Sequence, residues 1–363
     1  MPEKKPVKDE DLLFHILNVG DGDNIVVEFP KDEATGKRFY GIIDCYDGEK
    51  TIGYLDMCKD VRPARDQLEF ICATHPHKDH VDGIDELLND DALRPKEFWD
   101  CGFRHNIERY QNILKTLKCK NVSMTRVSSG MEKYYGKVQV TILAPSVALR
   151  NRYNTYGVDV NNASIVLRFE HHRQNVLGMR SMEYVGGESL ELVRDANPAT
   201  AIFTGDAEFE SWSRIVEEFP HVKKTSAHKP LVVKMINYLN CHLVKVAHHG
   251  SMHSAPLDIY EIMTPKKAVI SALQKTSENK TKGLEREMFP HASAEIALEE
   301  SGAEVLSTQG SYDFLKGIDG KRKKSEVATQ GSIVVVVPPG RSPRWIKLDD
   351  DIDFLPTSIP VQI

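Results

Sequence analysis

Residues 73–83, ATHPHKDHVDG, place three histidines and two aspartates between His75 and Asp82. Imidazole nitrogens and carboxylate oxygens are the usual ligands of zinc and similar ions, so this density reads as a metal site. Just upstream, LEFICAT is a short apolar run with β-branched and aromatic residues, read as a buried strand that delivers the motif. Downstream, VDGIDELLND carries its apolar residues at helical spacing. On extended backbone residues two apart point the same way, and Pro76 biases His75 towards that backbone. His75 and His77 can therefore share one ion, while Asp79 and His80, at the turn into the helix, point elsewhere, towards a second. Alone, the loop fits one ion or two, structural or catalytic.

The 363 residues are 40% hydrophobic and 28% charged, which is ordinary globular composition with ample apolar material for a core. A net charge of −6 gives no general attraction to nucleic acid or to an acidic membrane. A polyanionic substrate would have to be drawn locally. The charged start MPEKKPVKDEDLLF has no apolar core of a signal or transit peptide, and the best uninterrupted apolar run, SIVVVV, is too short to span a bilayer. Six scattered cysteines show no CxxC spacing, and Cys72 and Cys241 read as buried reduced thiols. A cytoplasmic location with no membrane partner is expected.

Around the motif the chain is β-rich, with helices in both halves. LLFHILNV and NIVVEF read as strands joined by the turn GDGD, FYGIIDC as a third. VQVTILAP, SIVLRFEH, TAIFTGD, HLVKVAHHGS, KKAVISAL and GSIVVVVPP read as further strands. IERYQNILKTLK, FESWSRIVEEF and SAEIALEESG read as helices, the last ended by Gly302. The stretch 171–198 is too long for a tight turn and reads as an elongated hairpin or flap. QKTSENKTKGLERE and GIDGKRKKSE read as basic surface loops. The expected organisation is a leader over 1–10, one αβ hydrolase domain over 11–340 with an insertion at 171–198, and a tail over 341–363.

Three further clusters share with the first a place at a strand end, and active sites of open α/β sheets gather just after strand C-termini. FTGDAE presents Asp206, whose two oxygens can bridge two cations; alone, an Asp after Gly is more often a turn residue or helix cap. VAHHGS presents His248 and His249 before Gly250. NNAS, Asn161 to Ser164, alone reads as a loop turn.

Taken in order, HxHxDH, a strand-end TGD and HHGS resemble the metallo-β-lactamase fold superfamily. More narrowly the chain is similar to the soluble hydrolase domain of the DNA-uptake protein ComEC and its stand-alone relatives. ILNVGDGDNIVVEF, YGIIDC, NNASIVLRF, AIFTGD, VKVAHHGS and FPHASAEIALEESGAEVLST carry that likeness from about residue 12 to about 337. The resemblance implies a four-layer αβ/βα sandwich, the metallo-β-lactamase fold, with a dinuclear site in its cleft. It implies His75 and His77 on the first ion, Asp79, His80 and His249 on the second, and Asp206 between them. Asn161 falls where many superfamily members place a third histidine for the first ion. His248 would face substrate or support the site, and His291 matches a loop histidine near substrate, with Phe289 where that group often has another histidine. Asp44, at its strand end, is expected to orient a ligand histidine.

Two divalent ions sharing Asp206 and a water would lower that water's pKa towards about 7 and yield a bridging hydroxide. Zinc is the expected metal; manganese or iron also suits such ligands. Asp79 would orient the hydroxide, and His248 or His291 would bind phosphate or assist the leaving group. No GxSxG elbow, Walker loop or dinucleotide fingerprint competes. The leading expectation is a phosphodiesterase or nuclease, with a phosphodiester such as DNA or RNA as substrate. Ester or lactone hydrolysis on the same site is the second reading. A non-catalytic, metal-stabilised module, docking a protein through 171–198 or the tail, is the third.

Overall fold

Long apolar runs buried on both faces dictate the central strands, and polar turns set their ends. The computed structural model describes residues 7–57, 67–103, 107–149, 159–182, 187–192, 195–220, 237–254, 256–272, 289–308 and 331–347. The strands are β1 (Leu12–Ile16), β2 (Asn24–Glu28), β3 (Tyr40–Cys45), β4 (Leu68–Ala73), β5 (Glu97–Asp100) and β6 (Ser123–Arg126). They continue as β7 (Glu132–Tyr135), β8 (Val138–Ala144), β9 (Val166–His171), β10 (Leu177–Met182), β11 (Gly187–Leu192) and β12 (Ala199–Phe203). The last are β13 (Leu243–Lys245), β14 (Lys267–Ile270), β15 (Glu304–Ser307), β16 (Ile333–Val337) and β17 (Arg344–Lys347).

One eight-stranded sheet runs β17-β16-β1-β2-β3-β4-β5-β6 and one seven-stranded sheet runs β15-β14-β13-β12-β9-β8-β7. Each sheet has an antiparallel half and a parallel half. In the first, β1, β2, β16 and β17 are antiparallel neighbours, and β3 to β6 run parallel. In the second, β7, β8, β9 and β12 are antiparallel neighbours, and β12 to β15 run parallel. The parallel strands β3, β4, β12 and β13 end in the segments that carry Asp44, the HxHxDH motif, Asp206 and the His pair.

Strand periodicity splits the core into layers. In β4, Phe70 and Cys72 join Phe14, Val27 and Ile43 against Leu167, Phe169 and Phe203 of the opposite sheet. Ile71 and Ala73, pointing the other way, pack with Leu87, Tyr110, Ile113 and Leu117 from the helices Ile84–Asn89 and Glu108–Cys119. Across the molecule Val166, Ile202, Val244 and Ala268 cover Trp212, Ile215, Ile259, Met263 and Leu298 from helices Phe209–Glu218, Leu257–Met263 and Ala292–Glu300. Helix, sheet, sheet, helix: the four-layer αβ/βα sandwich of the metallo-β-lactamase fold.

The structure adds elements that the apolar pattern did not mark: helix Gly48–Met57, the short strands β5, β6, β7, β15 and β17, and helix Leu257–Met263. Within 171–198 the strands β10 and β11 form a separate antiparallel ribbon. The two expected basic loops, at 274–287 and 317–326, lie outside the described residues, as does the tail beyond 347.

His171, at the end of β9, ties the two sheets together by donating from Nδ1 to the carbonyl oxygen of Val337 in β16 at 2.7 Å. Burial pushes its pKa down to about 4, against about 6.5 for an unfolded chain. The unfolded state therefore binds the extra proton first, and stability falls as pH drops from 6.5 towards 4. His171→Asn, which keeps a donor near Nδ1 and cannot titrate, should remove about 2 kcal/mol of the stability lost between pH 7 and pH 5. Urea unfolding at both pH values measures it; identical pH slopes in the two proteins would contradict the assignment.

Candidate metal centre

The site is built from the ends of parallel strands and from backbone forced into uncommon conformations. Asp44, in β3, has a φ of +55° and is fully buried. β4 delivers Thr74 and His75, and His77 precedes the turn of helix Lys78–Val81. β12 delivers Thr204, Gly205 and Asp206. Gly205 has a φ of +49°, and a Cβ there would lie 2.9 Å from Thr74 Oγ1, so only glycine lets this loop approach the HxHxDH segment. β13 leads into a turn in which His248, His249 and Gly250 have φ values of +46°, +52° and +83°. Two non-glycine residues in succession in the left-handed region are costly, and strain of this kind gathers at functional sites. Hydrogen bonds hold the pieces in place: Ile165 N–H donates to Thr74 O at 2.9 Å, Asp206 N–H to Ser164 Oγ at 3.0 Å, and His248 N–H to Gly205 O at 3.1 Å.

These ties gather most of the sequence-selected residues around Asp206. Its Oδ1 lies 3.2 Å from His80 Nε2, and its Oδ2 lies 3.7 Å from His75 Nε2 and 3.9 Å from His248 Nε2. Asp79 Oδ2 stands 3.3 Å from His249 Nε2 and 3.6 Å from His80 Nε2. The ligating atoms of Asp79, His80, Asp206 and His249 all lie within 4.8 Å of one another, close enough to hold one ion. His75 and His77 meet edge to face, ring centroids 4.7 Å apart, and the His75 ring lies 4.2 Å from that of His80. Asp206 thus faces His80 with one oxygen and His75 and His248 with the other.

The outer hydrogen bonds fix which nitrogen each ring presents. His249 Nδ1 donates to the carbonyl oxygen of Ser271 at 2.9 Å, and His80 Nδ1 to Asp44 Oδ2 at 2.7 Å. His75 Nδ1 reaches Thr74 Oγ1 at 3.2 Å, and that hydroxyl donates onward to Asp44 Oδ2 at 2.7 Å. With Nδ1–H directed outward, Nε2 is left bare towards the centre, the arrangement that metal-binding histidines use. Asp44 thereby orients two rings, one directly and one through Thr74. His75 Nε2, His80 Nε2, Asp206 Oδ1 and Asn161 Oδ1 are buried with no hydrogen-bond partner among the described residues. Such orphaned acceptors are costly unless a cation or proton meets them.

The electrostatics agree. Asp23, Asp44, Asp79 and Asp206 cluster here, and Lys245 lies among them. Burial opposes charge on Asp206, yet His80, His75 and His249 hold its carboxyl well below the usual range. Burial likewise opposes charge on His80, but Asp206, Asp44 and Asp79 overcome it and raise its pKa well above normal. The cluster calls for positive charge. Imidazole nitrogens and carboxylate oxygens in this number fit a divalent ion of the zinc, manganese or iron kind.

Asn161 and the outer histidines line the approach. Asn161 Nδ2 donates to Glu208 Oε1 at 3.0 Å, and His248 Nδ1 lies 3.3 Å from that same oxygen. Burial would raise the Glu208 pKa, but these two hydrogen bonds hold it below the usual range. His291 is farther out. Its Nδ1 accepts from Met252 N–H at 2.9 Å, and its ring meets Phe289 edge to face, with the Phe289 ring centroid 5.3 Å from that of His248.

Two residues escaped the sequence reading. Asp23, read only as part of the GDGD turn, accepts from Lys245 Nζ at 2.6 Å, and both side chains are 1% exposed. Asp23 N–H also donates to Asp79 O at 3.0 Å, so this pair joins the first sheet, the Asp79 loop and β13. A lysine inside the apolar run LVKVA was the available signal. Glu208 was the other, standing two residues after Asp206.

No known family model and no curated protein sequence matches this chain. Among solved structures it is similar to a mutant CmlA beta-hydroxylase, at 10% identity and a TM-score of 0.37, over 84% of this chain and 53% of that one. It is also similar to human tRNase Z, short form, at 10% identity and a TM-score of 0.34, over 74% and 94% of the two chains. A third likeness is Rm3 metallo-beta-lactamase, at 9% identity and a TM-score of 0.32, over 80% and 90%. At these values none bears on substrate, and the fold assignment rests on the layers themselves.

Lys245→Met leaves the Asp23 carboxylate buried without its partner and should cost about 3–5 kcal/mol of unfolding free energy. The double variant Asp23→Leu/Lys245→Met should recover most of that loss. Urea titrations with a chelator present measure both; a single variant as stable as wild type would contradict the pairing.

Proposed function

We propose that this chain is a two-metal hydrolase of phosphodiester bonds, acting as a phosphodiesterase or nuclease. The observation that carries the reading is the division of Asp206, with one oxygen facing His80 and the other facing His75. His75, His77 and Asn161 would hold one ion, Asp79, His80 and His249 the other, and Asp206 would reach both. When bound, such ions acidify a water to a pKa of about 7 and offset charge growing on phosphate oxygens.

The chain's own residues then divide the remaining work. Asp79, with its side chain 34% exposed, is the most open member of its ligand group, so it is placed to orient the attacking water. His248 donates from Nδ1 to Glu208 and turns Nε2 inward, where it can receive or return a proton. His291 accepts at Nδ1 from Met252, which leaves its neutral ring with the hydrogen on Nε2, a donor for a phosphate oxygen. Thr74, Asp44 and Ser271 keep the ligand rings from rotating and so hold the site preorganised.

The resemblance to the ComEC-like group favours a nucleic-acid phosphodiester over an ester or lactone. The chain's net charge of −6 leaves attraction of such a substrate to the metals and to a local basic rim. We also propose a cytoplasmic setting and a single hydrolase domain over 11–340, with 171–198 or the tail available to a protein partner. Among the described residues no helix is long and apolar enough to cross a membrane.

Purified protein loaded with zinc or manganese should cleave bis-nitrophenyl phosphate and at least one of single-stranded DNA and RNA, and lose that activity on dialysis against chelator. Asp79→Ala should lower turnover roughly 100- to 10,000-fold. Cleavage of lactones or carboxylic esters with no action on any phosphodiester would move the assignment to the ester class. Metal uptake without turnover of either would point to a non-catalytic module.

A further inference from the structure

Glu208 belongs to no ligand set, yet it touches the site at its least complete corner. It precedes helix Phe209–Glu218, but its side chain makes no capping bond to that helix. Its carboxylate is directed instead to Asn161 and His248, and both of them meet one atom, Oε1.

That contact decides how Asn161 stands. An asparagine amide can be turned over with little change of shape, exchanging its oxygen and its NH2. A carboxylate only accepts, so it fixes the Nδ2 edge of Asn161 towards Glu208. Oδ1 is then left on the other edge, buried and with no hydrogen-bond partner among the described residues; the residue as a whole is 7% exposed. The same Oε1 takes the Nδ1 hydrogen of His248 and leaves that ring's Nε2 towards Asp206 Oδ2, the oxygen that His75 also faces.

The geometry points to Glu208 as a positioning residue that presents the Asn161 amide oxygen, rather than its NH2, to the cation on the His75–His77 side. This rests on the two-ion reading above. Asparagine then serves as an oxygen ligand whose orientation Glu208 fixes, as the Nδ1 partners of His80 and His249 fix which nitrogen those rings present. The backbone of the Asn161 turn does not depend on Glu208. Asn161 N–H is held by Asp159 Oδ1 at 3.0 Å, and Asn162 Oδ1 accepts from Ser211 N–H at 3.0 Å. Removing the carboxylate therefore frees the amide and leaves the turn in place.

Because both bonds end on one oxygen, glutamine can replace Glu208 by putting its carbonyl oxygen in the same place, and leucine cannot. Zinc titration by calorimetry, with melting temperatures taken in zinc and in chelator, separates the cases. Wild type and Glu208→Gln should bind two ions alike. Glu208→Leu should weaken one of the two by roughly 10- to 100-fold. Its melting temperature should fall short of wild type in zinc and match it in chelator, which a purely structural role would not produce. Asn161→Leu should weaken the same ion, and the double variant should lose no more than either single one. Two ions bound with wild-type affinity by Glu208→Leu would overturn the inference. So would equal losses in Glu208→Gln and Glu208→Leu, which would assign the effect to charge rather than to the accepting oxygen. A wild-type chain that binds no divalent ion would instead overturn the two-metal reading, and this inference with it.

Discussion

Four aspartate carboxylates gather where the parallel halves of two sheets meet, with Lys245 among them. Taking so many like charges out of water is unfavourable unless positive charge joins them. The rest of the site follows from that constraint. Asp23 is matched by Lys245, and Asp44 is occupied by Thr74 and His80. Asp79 and Asp206 remain, facing the Nε2 atoms of His75, His80 and His249, and against burial these imidazoles hold the Asp206 carboxyl well below its usual range. Their oxygens and the facing nitrogens are ligand atoms that suit a divalent cation.

The fold supplies this constraint at the cost of local strain. Parallel strands β3, β4, β12 and β13 all end at the same seam, so four loops converge without any long excursion. The loops then bend through left-handed backbone at Asp44, Gly205, His248 and His249 to turn their side chains inward. The sheets that carry them are fixed by the inter-sheet core around Phe14, Phe169 and Phe203, whose rings contact one another. A rigid scaffold under short strained loops is the arrangement in which ligand atoms can be preorganised.

Where the candidate ligands lie was readable from residues, because each candidate motif is local and sits at the end of an apolar run. HPHKDH after LEFICA, the Asp of TGD after TAIF and the histidines after HLVKV announce both the strand and its cargo. Asp44 could be placed as an orienting carboxylate by its strand-end position. The unread parts share a physical reason: they exist only through contact at a distance. Asp23 and Lys245 are 222 residues apart, and neither has a local pattern that names its partner. Glu208 looks like an ordinary residue opening a helix until Asn161 and His248 are seen to meet its Oε1. The missed strands β6, SMTR, and β7, EKYY, lie at sheet edges and are mostly part-exposed or exposed, so no continuous apolar run betrays them.

In the proposed hydrolase Asp206 lies between two cation sites. Crystals soaked in zinc and read by anomalous scattering at the zinc edge test it most directly. Two peaks should flank Asp206, one among Asp79, His80 and His249 and one beside His75, His77 and Asn161. No peak at Asp206, or a single one shared by all of these residues, would contradict it.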